Sequence, residues 1–504
     1  MWQTDWNKLI DLLAYHAHSP LIFSSGLFLF LFLGFSLVYA LLQRRDTARL
    51  CFVVLFSYYF YYKSSGTYFF LLAVVTCADF LIARRMISTV SPVLRKGLLC
   101  ISLVINLGLL CYFKYTNFFY EMLVPLWQGT FHPLDIFLPV GISFFTFQSL
   151  SYTIDVYRRQ LQPLDKLLDY AFFVSFFPQL VAGPIVRARD FIPQIRRPLH
   201  VTSEMFGRGV FLIISGLFKK AVISDYISVN FIERIFDNPS LYSGVENLMG
   251  VYGYALQIYC DFSGYSDMAI GLALLLGFHF PTNFDSPYKS LSVTEFWRRW
   301  HISLSSWLRD YLYISLGGNR CGKLRTYTNL IITMLLGGLW HGASWNFVMW
   351  GGLHGIALAV HKLWSRTLLP ALGFEAADVR TFFSRLPQRL CRLIPWLLTF
   401  HFVCFCWIFF RNATFEASWT MIDRIFHHFT PGVFTQLVCG YWEVFALMAL
   451  GYLLHFLPDS CQQWCERQVI RLPLLLQALL VVVVIYIVIQ VKSSDIQPFI
   501  YFQF

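Results

Sequence analysis

Long apolar runs recur along the whole chain and limit the folds it can adopt more than any other feature. The first is Leu21–Leu42, and further candidates lie near 50–62, 67–83, 97–114, 136–153, 168–182, 206–224, 244–277, 326–347, 347–361, 394–411, 441–457 and 471–491. Several runs are short or interrupted by Gly or Pro, and irregular backbone is tolerated in a bilayer only where protein or a cavity surrounds it. We therefore predict an all-α polytopic membrane protein with roughly 11 transmembrane helices plus one or two re-entrant or interfacial helices, since a span needs about 20 residues.

The charges fit this class and argue against a nucleic-acid partner. Hydrophobic residues make up 57% of the chain and charged residues 13%, where a soluble domain carries about 25%. The formal charge of +11 has a membrane explanation, because Lys and Arg collect in cytoplasmic loops and favour anionic lipids. Basic residues follow alternate spans: Arg44, Arg45 and Arg49, then Arg84, Arg85, Arg95 and Lys96, then Arg158, Arg159 and Lys166. These positions and the basic stretch Lys362–Arg392 are predicted to be cytoplasmic, with the N-terminus outside. We predict one integral membrane domain over residues 1–504.

Two histidines stand out within apolar sequence. His341 lies in Leu335–Gly355, LLGGLWHGASWNFVMWGGLHG, between Trp340 and Gly342. His301 lies in Phe296–Arg320, FWRRWHISLSSWLRDYLYISLGGNR. A titratable side chain in such a setting is costly unless it is paired or used, so both are candidates for chemistry, against the alternative of satisfied core residues.

Other polar residues interrupt three apolar segments. Gln148 and Asp155 occur in Leu138–Arg158, where the alternative reading is hydrogen bonding between helices. Asp261 and Asp267 occur in Tyr259–Ala269, where Arg298, Arg299 or Arg309 is a possible partner, and a structural ion pair is as reasonable as a functional interior. The two prolines of Phe177–Arg187 exclude a regular helix.

The segment Phe296–Arg320 is predicted to form one amphipathic helix. Its apolar positions and His301 recur at helical spacing: Trp297, His301, Leu304, Leu308 and Tyr311. His354 and His361 are interpreted as packing or interfacial residues. They lack the i, i+4 spacing of a zinc-binding helix, so no metal site is predicted.

A neutral imidazole in a low-dielectric tunnel can take a proton from a hydroxyl as that oxygen attacks an acyl carbon. A second polar group could hold the thioester carbonyl, and His301, Ser305 and nearby asparagines such as Asn346 are candidates. The further substrate-channel candidates are Trp340, Asp261, Asp267 and Gln148. The residues alone predict an intramembrane, histidine-dependent group transfer or proton step, without naming a substrate.

The central motifs resemble the membrane-bound O-acyltransferase family, in particular its bacterial branch with the alginate O-acetyltransferase membrane subunit. WRRWHISLSSWLRDYLYISLGGNR and LLGGLWHGASWNFVMWGGLHG carry most of the resemblance, together with FFPQLVAGPIVR, YCDFSGYSDMAIG, FPTNFDSPY and FRNATFEAS. The similarity covers about 21–426, and the C-terminal helices, about 441–491, contribute less.

The resemblance implies a funnel of helices around a central channel, with His341 at the family's invariant histidine and His301 at its second, more variable polar position. It implies acetyl-CoA, or another acyl thioester, as donor, with no further cofactor. It also implies a hydroxyl of an exported polysaccharide or cell-wall glycan as acceptor, and a periplasmic or surface partner protein. The implied location is a bacterial inner membrane. Arg298, Arg299 and Arg309 are the donor-binding candidates.

Three alternatives remain open at this stage. The transferred group is D-alanyl or a lipid acyl chain, the protein is a transport or polymer-export subunit, or it is a scaffold that has lost activity. The chain has no visible internal repeat, which argues mildly against transporter folds built from repeated halves.

Overall fold

The structure, a computed structural model, describes residues 6–16, 20–127, 129–368 and 390–491. These residues form helices and connecting turns, and no strand occurs among them. The basic stretch 362–392 lies mostly outside the described residues, so its predicted cytoplasmic position stays a prediction. So do the orientation of the chain and its organisation as one domain.

The described residues up to Leu275 form fourteen α-helices. They are α1 Trp6–Leu13, α2 Gly26–Leu41, α3 Asp46–Ser65, α4 Phe69–Ser88, α5 Pro92–Leu110, α6 Thr116–Leu123, α7 Ile142–Tyr157, α8 Leu167–Ser175, α9 Phe177–Leu180, α10 Ala188–Ile195, α11 Ser203–Leu217, α12 Asp225–Ile227, α13 Glu233–Asp237 and α14 Gly244–Leu275.

The second half contains ten further α-helices among its described residues. They are α15 Val293–Arg299, α16 Ile302–Trp307, α17 Lys323–His341, α18 Trp345–Leu363, α19 Leu390–Arg411, α20 Phe415–His427, α21 Val433–Gly440, α22 Trp442–Phe456, α23 Asp459–Arg471 and α24 Leu474–Val491. Each apolar run predicted as a candidate span contains a helix or part of one.

Within the described residues, three helical stretches are long and apolar enough to cross a membrane: Asp46–Ser88, Pro92–Leu126 and Arg392–Arg411. The pair α21 and α22, bent by 90°, would make a fourth. The predicted number of roughly 11 spans is therefore not confirmed. Other apolar helices, such as α2 with 16 residues, fall short of the length of a straight span.

The predicted irregular backbone at Phe177–Arg187 is confirmed. Helix α9 has only four residues, and the backbone N–H of Phe177 donates to the Ser57 hydroxyl at 3.1 Å. A Cβ on Gly183 would lie 2.6 Å from the Pro178 carbonyl oxygen, so this turn requires glycine. The segment is buried, which agrees with the rule that broken backbone is enclosed by protein.

The chain divides into two compact units. The first comprises Met1–Ile214 and Tyr265–Pro281, with residues 494–503 outside the described part. Its core includes an aromatic cluster in which Phe177 contacts Phe35 at 5.4 Å and Phe56 at 5.1 Å between ring centroids. A buried polar contact joins α4 to α5, because Asp79 accepts hydrogen bonds from Ser102 at 2.6 Å and Asn106 at 2.8 Å.

The second unit comprises Ser215–Gly264 and Thr282–Ser493. Helices α17 and α18 run antiparallel in it, joined by a short turn. A Cβ on Gly338 would lie 2.2 Å from the Phe347 carbonyl oxygen, and one on Gly351 would lie 2.4 Å from that of Met334. The two helix backbones therefore touch at these glycines.

Candidate active site

His341 is the last residue of α17. The helix stops there because Gly342 adopts an extended backbone, with φ of −163° and ψ of 153°. The imidazole is buried, with 2% of the residue exposed. Its ring centroid lies 4.9 Å from that of Trp340, 5.1 Å from that of Trp350 and 5.1 Å from that of Phe410, all edge-to-face. His341 is thus held in an aromatic box built from α17, α18 and α19.

His301 lies between α15 and α16, and its backbone is left-handed, with φ of 42°. The prediction of one continuous amphipathic helix over Phe296–Arg320 is therefore wrong. Helical spacing of apolar residues cannot reveal a single left-handed residue, since the period continues on both sides of it. The turn buries His301 completely and places its ring 4.6 Å from that of Phe262.

The hydrogen bonds of His301 define its tautomer. Asn283 Oδ1 accepts from the backbone N–H of Ser303 at 3.2 Å and from its hydroxyl at 2.8 Å, so this atom is the amide oxygen. It lies 3.2 Å from His301 Nδ1, which must therefore carry the hydrogen. Nε2 of His301 is then the basic nitrogen, suited to accept a proton or a hydrogen bond.

One indole links the two histidines. The Trp340 ring lies 4.9 Å from that of His341 and 6.2 Å from that of His301. The two residues predicted to carry the chemistry are thus brought to the same indole, although they come from separate segments of the chain.

Asn346 and Ser305 make structural hydrogen bonds. Asn346 Nδ2 donates to the backbone oxygen of Asn412 at 2.7 Å and thereby ties the start of α18 to the segment between α19 and α20. The Ser305 hydroxyl donates to the carbonyl of Trp300 at 3.2 Å. Neither hydrogen bond tests whether these residues hold the thioester carbonyl of the donor. That role stays a prediction for both residues.

Asp261 pairs with a lysine, and not with the arginines that the sequence indicated. Lys220 Nζ lies 2.6 Å from Asp261 Oδ1 and 2.7 Å from Asp225 Oδ1, and the lysine is only 2% exposed. Arg299 is paired with Glu295 at 3.0 Å and with Asp285 at 3.1 Å. Lys220 is remote from Asp261 in sequence and is brought to it by the fold.

Gln148 and Asp267 belong to the first unit. Gln148 is fully buried on α7, and Asp267 is partly buried on α14. Their roles as channel residues stay predictions.

A cavity of about 420 Å³ opens beside α15 and α16. Its lining includes Ser305 and two of the three arginines predicted to bind the donor, Arg298 and Arg309, but not Arg299. Arg309 is 2.7 Å from Asp310, and this hydrogen bond raises the pKa of Arg309 above its usual range. The exposed Arg298 makes no hydrogen bond or ion pair with another described residue, so its charge is available to a ligand.

The sequence interpretation did not single out Trp350 in this region. His354, read as a packing or interfacial residue, is fully buried, and its Nδ1 accepts from the Trp297 indole at 3.2 Å. Trp350 stands between the histidines of α17 and α18, with ring distances of 5.1 Å to His341 and 4.9 Å to His354. The signal was the i, i+4 spacing of Trp350 and His354, which places both on one helix face.

Residues 148–375 match the family model described as MBOAT, membrane-bound O-acyltransferase family. A relative named probable alginate O-acetylase AlgI, from Pseudomonas aeruginosa, is 41% identical over 412 residues, which cover 81% of this chain and 75% of the relative. The peptidoglycan O-acetyltransferase of Helicobacter pylori is 39% identical over 366 residues, 68% of this chain and 66% of the relative. The teichoic acid D-alanyltransferase of Bacillus subtilis is 28% identical over 316 residues, which cover 58% of this chain and 75% of the relative.

These similarities reach beyond the matched model and include the segments that hold both buried histidines. The chain therefore belongs to the membrane-bound O-acyltransferase family and is a multi-pass membrane O-acyltransferase.

Proposed function

We propose that the protein transfers an acetyl group from acetyl-CoA to a hydroxyl of an exported polysaccharide or cell-wall glycan, at a bacterial inner membrane. The arrangement of two buried imidazoles about the Trp340 ring carries this proposal. The nature of the acyl group and acceptor is inferred from the relatives. The two that are named for O-acetylation are 41% and 39% identical to this chain, and the one named for D-alanyl transfer is 28% identical.

In the proposed reaction His341 is the general base. It takes the proton of the acceptor hydroxyl as that oxygen forms a bond to the acetyl carbon. The carbon–sulfur bond breaks, its electron pair leaves with the sulfur of CoA, and the proton held by His341 passes to that sulfur. His301 orients the hydroxyl through Nε2, the nitrogen that its bond to Asn283 leaves basic.

The donor would bind at the cavity beside α15 and α16. Arg298 and Arg309 supply positive charge there, and Arg298 has no carboxylate partner among the described residues. Guanidinium groups bind phosphate oxygens well, which fits the phosphates of CoA. The acceptor polymer would be supplied by a periplasmic or surface partner protein.

The test uses purified protein in nanodiscs with radiolabelled acetyl-CoA, and follows thioester cleavage and label transfer to protein, lipid and glycan fractions. Wild type is expected to consume acetyl-CoA. His341→Ala is expected to do so at least about 100-fold more slowly while it still binds the donor, because it removes only the base. His401→Ala, which changes an exposed histidine of the same unit, is the matched control and should keep wild-type turnover.

Three results would contradict parts of the proposal. If wild type cleaves neither acetyl-CoA nor a carrier-protein thioester in the presence of a membrane extract, the assigned donor class is wrong. If His341→Ala turns over as fast as His401→Ala, His341 is not the base. If the label is found in lipid instead of glycan, the acceptor is a lipid and the proposed glycan acceptor is wrong.

A further inference from the structure

The Trp350 indole N–H is a buried donor with no acceptor among the described residues. Two nearby indoles in the same unit have acceptors. The Trp297 N–H donates to His354 Nδ1 at 3.2 Å, and the Trp407 N–H donates to the Tyr288 hydroxyl at 3.2 Å. Because buried polar groups are nearly always hydrogen-bonded in native proteins, an unpartnered donor in a candidate active site points to a ligand atom.

The Trp350 ring is fixed by its neighbours, so the indole cannot turn to find another acceptor. It stacks on Trp407 with 6.1 Å between ring centroids and 20° between planes. It packs edge-to-face on Phe410 at 5.2 Å and on His354 at 4.9 Å. The residue is 1% exposed, and the orientation of its N–H is therefore set before substrate binds.

The proposed reaction needs such a donor near His341. The attacked carbonyl oxygen gains negative charge in the transition state, and preorganised N–H groups stabilise it. His301 does not fill this role, since its Nδ1 hydrogen is used by Asn283 and Nε2 is an acceptor. Trp350 lies 5.1 Å from His341, ring to ring, on the adjoining helix α18.

We propose that the indole N–H of Trp350 donates a hydrogen bond to the carbonyl oxygen of the acyl thioester and to the oxyanion that develops there. This inference rests on the proposed function, because it concerns the same acyl transfer. The Trp350 proton stays on nitrogen throughout. The oxygen–carbon bond forms and the carbon–sulfur bond breaks as described above.

Trp350→Phe tests the proposal, since it keeps an aromatic ring and removes the N–H. It is expected to lower kcat about 100-fold, the usual effect of losing one oxyanion donor, with little change in the KM for acetyl-CoA. Trp407→Phe is the matched control. It makes the same change in the stacked partner ring, whose N–H is used by Tyr288, and should lower Tm while leaving kcat close to wild type.

A binding experiment separates a carbonyl contact from a packing role. Acetyl-CoA and S-ethyl-CoA, which has a methylene in place of the carbonyl, are compared on a His341→Ala background so that no turnover occurs. The preference for acetyl-CoA is expected to fall about fivefold when Trp350→Phe is added, the value of one hydrogen bond. A packing defect would weaken both ligands equally.

The outcomes are distinct. A Trp350→Phe protein that keeps wild-type kcat, or one that keeps the preference for acetyl-CoA, overturns this inference and leaves the proposed function intact. Wild type without turnover of acetyl-CoA overturns both. If Trp350→Phe lowers Tm much further than Trp407→Phe, the ratio of the two binding constants still decides, because it is measured within one folded protein.

Discussion

Arg298 is the residue that we propose to recognise the charged donor. Its side chain is exposed at the 420 Å³ cavity and makes no ion pair with another described residue, while Arg299 is held by two carboxylates. In the proposed function, Arg298 would recognise the donor, whereas Arg299 is engaged in local ion pairs.

Arg298→Ala is expected to raise the KM for acetyl-CoA about tenfold, the usual effect of losing one charge-assisted contact, with kcat unchanged. Turnover of S-acetyl-N-acetylcysteamine, a small thioester without phosphates, should be the same in variant and wild type. An equal loss of turnover with both donors would show that Arg298 does not contact the phosphates of CoA.

At the scale of single residues, the sequence predicts which side chains are candidates for the site better than it predicts their backbone conformation and contacts. Two histidines in apolar, aromatic segments were sufficient to select His341 and His301. The left-handed backbone of His301 leaves no mark on residue periodicity, and the tautomer depends on Asn283, which is remote from it in sequence. Trp350 and Lys220 were overlooked because their surroundings depend on His341 and Asp261, which the fold brings next to them.

At the scale of helices, hydropathy located the elements and glycine spacing determines how two of them meet. The run 326–361 was predicted as two adjoining spans, and α17 and α18 occupy it. Their backbone contact at Gly338 and Gly351 was not predicted, because glycine in an apolar helix is equally consistent with a break. That contact aligns His341 with Trp350.

Gly351→Ala and Gly352→Ala make a matched pair on α18. A Cβ at Gly351 would lie 2.4 Å from the Met334 carbonyl oxygen, whereas one at Gly352 meets Leu335 at an ordinary 3.5 Å. Gly351→Ala should cost about 1–3 kcal/mol in the free energy of unfolding through overpacking. Gly352→Ala should be neutral or stabilising by up to about 1 kcal/mol. Thermal unfolding in detergent measures both, and equal Tm values would contradict the close contact.

At the scale of the whole molecule, composition and hydropathy predicted an all-helical membrane protein, and the motifs predicted its family. The number of spans was less predictable. Short, bent and polar-interrupted helices such as α2, α7 and the α21–α22 pair do not meet a simple length criterion. Their membrane placement depends on tertiary packing, which a hydropathy profile does not contain.

Removing one partner of the buried ion pairs in the second unit should be strongly destabilising, because it leaves an unpaired buried charge. Lys220→Met removes the cation shared by Asp225 and Asp261, and should cost about 3–5 kcal/mol, as for other broken buried pairs. The double variant Lys220→Met/Asp261→Asn should recover part of that loss.

Lys289→Met, in the more exposed pair with Asp459, is the control and should cost less than about 1 kcal/mol. Unfolding midpoints of these proteins and of Asp261→Asn alone test this, and additive effects of the Lys220 and Asp261 changes would argue against coupling.

The shared lysine also bears on biosynthesis. Lys220 emerges from the ribosome with Asp225 close behind it, but Asp261 belongs to α14, which is made later. Until α14 arrives, the earlier apolar segment carries a lysine that lacks one of its two carboxylate partners, and membranes disfavour such a group. The two segments should therefore enter the bilayer as a cooperative pair, and a nascent chain arrested before α14 should remain a substrate for membrane quality-control proteases.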